Sequence, residues 1–212
     1  MTEGQPKQVF SERLKGLAHA IKDRVTKEDR RPHLVLSDSA KKTIRDWALK
    51  PNPKQSEVSF IGVGIKNIVD AVYAPEGNFS PHSGMFLEGF SGAKTDMEES
   101  RLLWERVYRD GRLNEVSFFG HLHPSGSMTI TQGGTIVHFI NNPREALLYP
   151  SREDVVASDF FAKENPHIDV PCQAIAANTQ NGPYLRVYLV SELLKAKHGN
   201  NIWKVPYQTI QL

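Results

Sequence analysis

Apolar residues along the chain recur at two different spacings, and the change from one to the other marks out the elements. Ala40, Ile44, Trp47 and Ala48 return every three or four residues with Lys, Arg and Asp between them, which places them on one face of a helix. Ser37, Asp38 or Ser39 can cap this helix, and Pro51 and Pro53 stop it. Before it, His33–Ser37 reads as a short strand. After it, Glu57–Ile65 (EVSFIGVGI) and Asn67–Pro75 (NIVDAVYAP) are rich in β-formers and flank a Lys-Asn turn, so they are expected to pair as strands.

Residues 75–94 are rich in Gly, Ser and Pro and predict a loop. Thr95 to Glu98 resembles a capping box opening a helix whose apolar positions are Leu103, Trp104, Val107 and Tyr108, with a stop near Gly111. Glu115–Pro124 (EVSFFGHLHP) predicts another strand, and residues 127–140 read as a hairpin turning at Gly133-Gly134. Pro150 and Ser151 open a further helix. Residues 172–178 and 184–190 form a closing hairpin around Asn181-Gly182-Pro183, followed by a short helix at 191–199 and an irregular tail. Interleaved strands and helices, with several hairpin connections, predict an α/β (α+β) fold: a mixed β-sheet flanked by helices.

Residues 1–32 differ from this body. Phe10, Leu14, Leu17, Ile21 and Val25 mark an amphipathic helix that ends at Arg30-Arg31-Pro32, and its stripe is expected to pack on the body or on another subunit. Residues 33–212 form the main domain. Lys and Arg exceed Asp and Glu only by 26 to 24, so nothing marks a dedicated nucleic-acid binder. Cys172 is the single cysteine, which excludes an internal disulfide framework, and no apolar run reaches membrane-spanning length. With no apolar leader at the N-terminus, a cytoplasmic protein is expected.

Within this frame a few residues carry chemistry. His121 and His123 stand two apart at a strand end, so their imidazoles project to one face, and Pro124 and Gly126 then turn the chain away. Paired neutral imidazoles suit a divalent metal, zinc above all. A surface pair with no ligand has the same sequence. Asp154, in Pro-Ser-Arg-Glu-Asp, can serve as a third ligand or as the N3 partner of a capping box with Ser151, and the two roles are compatible. Glu57 opens an apolar strand, where an acid is either the polar boundary of that strand or a base for a metal-activated water.

Taken in order, Glu57 before VSFIGVG, then Gly-His-Leu-His-Pro-Ser-Gly, then Pro-Ser-Arg-Glu-Asp at a helix start resemble the JAMM (MPN-type) zinc metalloprotease family over roughly residues 33–190. That resemblance implies a JAMM/MPN, cytidine-deaminase-like fold. It implies Zn2+ held by His121, His123 and Asp154, Glu57 as general base, and Ser151 as a donor to the oxyanion. It further implies hydrolysis of a peptide or isopeptide bond at the C-terminal tail of a ubiquitin-like protein or its conjugate. Other branches of the resemblance imply a peptidase for cell-wall or other short peptides, a metal-free MPN scaffold, or, from His-Pro-Ser-Gly, similarity to the RadC-like branch. The chain departs from the family in the insertion, residues 125–150, between the histidines and Ser151. The departure admits Asp159 and His138 as rival third ligands. The insertion's hairpin is expected either to edge the substrate cleft or to complete the domain's own sheet.

Overall fold

The computed structural model describes residues 31–52, 56–79, 84–86, 92–94, 97–124, 128–132, 135–139, 148–196 and 202–212. The amphipathic helix expected within residues 1–32 lies outside the described residues but for its last two positions, as do Thr95 and Asp96 of the expected capping box. Eleven strands are described: β1 (Val35–Leu36), β2 (Val58–Ile65), β3 (Ile68–Tyr73), β4 (Gly84–Phe86), β5 (Gly92–Lys94), β6 (Val116–Leu122), β7 (Met128–Gln132), β8 (Thr135–Phe139), β9 (Cys172–Thr179), β10 (Gly182–Leu189) and β11 (Tyr207–Gln211). The helices are α1 (Asp38–Leu49), α2 (Met97–Arg109), α3 (Arg152–Glu164) and α4 (Val190–Ala196).

Seven strands form one mixed sheet in the order β1-β3-β2-β6-β9-β10-β11, with β1·β3 and β6·β9 parallel and the other pairs antiparallel. The α+β expectation is met. The sheet is curled, and the Gln208 side chain of β11 reaches the residue before β1: its Oε1 accepts from Leu34 N at 2.7 Å and its Nε2 donates to Leu34 O at 2.8 Å. One amide side chain thus does for the two outer strands what a backbone ladder does elsewhere.

Central strands are buried on both faces, which is why β2 and β6 are nearly continuous apolar runs. On one face, Ala40, Ile44, Trp47 and Ala48 of α1 pack with Val58, Phe60, Phe118, Leu122 and Val187. Ser37 caps α1, its side chain accepting from Ala40 N. On the other face α2 brings Leu103 and Val107 to Ile61, Val63 and Val116, while Val155 of α3 and Leu193 of α4 pack with Ile175 and Tyr188. Tyr108 does not share the inward face of α2; it is 72% exposed. At about 100° per residue it stands roughly 140° around the helix from Leu103.

Two local expectations change, and one left open is narrowed. Residues 75–94 contain β4 and β5, paired antiparallel but only three residues each, too short to show a period in sequence. The tail is not irregular, because β11 pairs with β10 over five residues. Its Tyr-Gln-Thr-Ile-Gln sequence exposes alternate polar positions and so lacks an apolar signal. The hairpin of residues 125–150 is present as β7–β8, and among the described residues it pairs only with itself rather than completing the main sheet.

Gly120, which precedes His121, has no room for a side chain: a Cβ there would lie 2.5 Å from Ala174 O and from the Phe60 ring. Backbone cannot yield as a flexible side chain does, so Gly120→Ala should cost about 1–3 kcal/mol in urea unfolding, as overpacking does. An unchanged midpoint would show that β6 and β9 can separate freely at this point.

Candidate metal centre

The sheet and α3 meet at the C-terminal end of β6. His121 is the sixth residue of β6, and Ser59 of β2 and Ile175 of β9 are its neighbours across the sheet. His123 lies just past the strand and is fixed there by donation from its N–H to Ala176 O at 2.9 Å. The two imidazole rings are 4.8 Å apart, centroid to centroid. Glu57 immediately precedes β2. Because Val58 pairs with Leu122, the next step along the antiparallel register sets Glu57 beside His123. Glu57, His121 and His123 present ligand atoms that all lie within 4.8 Å of one another, a group that can hold a metal ion.

Asp154 arrives from the opposite layer. Ser151 is the N-cap of α3 and Asp154 its N3 residue, and both bonds of a capping box are formed: Ser151 Oγ accepts from Asp154 N at 3.1 Å, and Ser151 N donates to Asp154 Oδ2 at 2.6 Å. The box leaves the carboxylate aimed at the sheet, with Oδ1 3.2 Å from His121 Nε2 and Oδ2 3.5 Å from His123 Nε2. Capping and facing the histidines are therefore one arrangement rather than two. Ser151 Oγ spends a lone pair on the cap, so its O–H keeps its capacity to donate.

Burial sharpens the electrostatics. His121 is only 6% exposed, and its Nε2 makes no hydrogen bond despite the carboxylate at 3.2 Å. Desolvation works against a charged His121, but the Asp154 carboxylate and then Glu57 outweigh it, and its pKa is pushed up to about 9. Burial works to raise the Asp154 carboxyl, yet the two facing imidazoles hold it well below the usual carboxylate range. Glu57 goes the other way: loss of hydration raises its pKa, and the nearby histidines only partly offset this. An acid whose proton affinity is raised beside two imidazoles is suited to exchanging protons.

All five residues singled out in the sequence, Glu57, His121, His123, Ser151 and Asp154, come together here. Asp159 does not join them; its carboxylate pairs with Lys163 Nζ at 3.0 Å along α3. His138 is on β8, where only the backbone is described. Cys172 is buried, and desolvation pushes its thiol up to about 12, which leaves no thiolate at neutral pH. A cavity of about 520 Å3 lies beside the C-terminal half of α3, between Phe119, Phe161, Val170 and Leu194, and touches none of the five.

Two supporting residues of the sheet, Ser59 and Gln173, escaped the sequence reading. Ser59 Oγ and Ser100 Oγ meet at 2.8 Å and tie β2 to α2 next to His121. Gln173 of β9 accepts from Ser158 Oγ at 2.8 Å and reaches Asp154 O at 3.5 Å, fastening the first turns of α3 to the sheet. Their signal was a polar residue inside a doubly buried strand, as in Val-Ser-Phe and Cys-Gln-Ala. No protein-family model matches the chain, and no curated protein sequence is significantly similar to it.

The shifted pKa values set a pH dependence for the metal-free protein. His121 has a folded value of about 9 against 6.5 for the free side chain, so its stabilising contribution is complete below 6.5 and lost as pH rises through 9. Asp154 is shifted downward, so its contribution is present above 3.8 and lost only in strong acid. Urea unfolding of chelator-treated protein should therefore show stability falling between pH 7 and 9.5, and the fall should vanish in His121→Ala. Stability that rises over this range would refute the buried ion pair.

Proposed function

We propose that this protein is a zinc-dependent hydrolase of peptide or isopeptide bonds with a JAMM-type site, releasing a ubiquitin-like protein at its C-terminal tail. The observation that carries the reading is that Glu57, His121, His123 and Asp154, from three separate parts of the chain, are brought together, with the buried Nε2 of His121 facing the Asp154 carboxylate. Two imidazoles and a carboxylate are the donor set of a catalytic zinc site, which keeps one position open. Two ligand atoms each about 2.0–2.1 Å from a tetrahedral zinc stand about 3.4 Å apart. The 3.2 and 3.5 Å separations between Asp154 and the histidines fit that span.

His121, His123 and Asp154 hold the ion in this reading, and Glu57 stays outside the ligand set. Bound zinc supplies Lewis-acid polarisation of the scissile carbonyl and lowers the pKa of water to about 7. Glu57, with its raised proton affinity, takes the proton of the attacking water and returns it to the leaving amine as the C–N bond breaks. Ser151 donates its hydroxyl hydrogen to the oxygen that gains charge. A single such donor is worth roughly 3–4 kcal/mol in other hydrolases. Water attacks directly, so no acyl-enzyme forms and Cys172 has no part. An extended tail ending in glycines suits a substrate read by main-chain bonds.

The test uses ubiquitin-like fusion proteins as substrates, with metal analysis alongside. Wild-type protein should bind about one zinc per chain and cleave at the end of the tail, and a chelator should abolish cleavage. Glu57→Gln should retain zinc and lose at least about a hundredfold in rate, the usual worth of a general base. Cleavage at the wild-type rate by Glu57→Gln would remove the base from this scheme, and cleavage that survives complete metal removal would remove zinc. Cleavage of short peptides alone would redirect the substrate assignment to a peptidase.

A further inference from the structure

Asp154 can meet the histidines only if α3 begins at the right depth above the sheet, and the chain enters α3 from residues 125–150, whose hairpin, among the described residues, pairs only with itself. The entry segment, Leu148–Pro150, is nonetheless held at two points by β10. Tyr188 Oη, fully buried, donates to Leu148 O at 2.7 Å, and the Leu148 side chain is itself 1% exposed. The Arg186 guanidinium, two residues earlier on the same face of β10, lies 4.4 Å from the centre of the Tyr149 ring and 4.0 Å from that of Tyr207 on β11. The rings of Tyr149 and Tyr207 meet edge to face at 6.0 Å.

This group stands in register with the site. His121 pairs across the sheet with Ile175, and Ile175 pairs with Arg186, so the cation lies two strands from the histidine on the same transverse row. Val155, the residue after Asp154, packs on Ile175 and Tyr188 of the same region. A cation between aromatic faces is planar, directional and strongly held when desolvated. A neutral aliphatic side chain at 186 would fill the space without that preference for stacking.

We infer that Tyr188, Arg186, Tyr149 and Tyr207 form a clamp of positioning residues that sets where α3 starts, and through the Ser151–Asp154 cap sets the metal affinity of the site. The inference rests on the metal-centre reading above. They act through the chain segment that carries Asp154. Partners of metal ligands typically change affinity by about 10–100-fold when removed, and a clamp one step further out acts on the same coordinate.

The experiment measures zinc affinity by competition with a chromophoric chelator and the visible absorption spectrum of the cobalt(II) form, on the full chain. Tyr188→Phe, which deletes one hydroxyl, and Tyr149→Leu, which removes one stacking ring at a half-buried position, should each weaken zinc by about tenfold or more and alter the cobalt spectrum. Tyr149→Phe keeps the ring and should stay within about twofold of wild type. Val205→Ala, which trims the same apolar cluster without removing a hydroxyl or a ring, should lower the thermal midpoint and leave both metal readouts unchanged. If Tyr188→Phe does not fold, Tyr149→Leu decides. Wild-type affinity and spectrum in Tyr149→Leu, or an equal loss in Val205→Ala, would overturn the clamp while leaving the metal centre standing. A wild-type protein that binds neither zinc nor cobalt would overturn the metal centre, and the clamp with it.

Discussion

The approach of Asp154 to His121 and His123 joins two layers that are otherwise assembled separately. The sheet presents the imidazoles and the helical layer presents the carboxylate. Neither side is tolerable alone, because a buried ionisable group without a counter-group loses hydration and gains nothing in return. The pair therefore works as a docking condition: α3 is satisfied only where its first turn overlies the end of β6. Gln173 and Ser158 then secure the first turns of the helix. Glu57 sits beside the same pair, and its proton affinity is raised chiefly by loss of hydration, which the two imidazoles only partly offset.

Local signals in the sequence were sufficient where the structure itself is local. The Ser151–Asp154 cap, the face of α1 and the β2–β3 hairpin all depend on residues within a few positions of one another, and each is found where the pattern placed it. Such spacing also brought His121 and His123 to one face. What the pattern left open between Asp154 and Asp159 was the rotation of α3. At 100° per residue, Asp154 and Asp159 diverge by roughly 140° and cannot both face the sheet. Asp159 instead finds Lys163 on its own helix.

The elements that went unread are held from far away. β11 joins the sheet through β10 and through the Gln208 amide, whose partner is 174 positions distant. Glutamine in an alternating polar segment carries no trace of that role. Arg186 misleads in a related way. In Tyr-Leu-Arg-Val-Tyr a charged residue suggests the solvent face of a strand, yet it is 1% exposed because two aromatic rings replace its water. Tyr108 errs in the opposite sense, an aromatic residue on the exposed side of α2.

The Gln208 clasp also orders events during synthesis. Every candidate ligand has been made once residue 154 leaves the ribosome, and β2, β6 and the N-terminus of α3 are then all available. β9 and β10, which flank them, come next. The ring formed by β1 and β11 cannot close until residue 208 is made, and Tyr207, which backs Arg186, is made one residue before it. A nascent chain thus holds its candidate metal ligands well before it holds the contacts that fix their geometry. Closure of the sheet and completion of the aromatic cage around Arg186 arrive together, as a single late step.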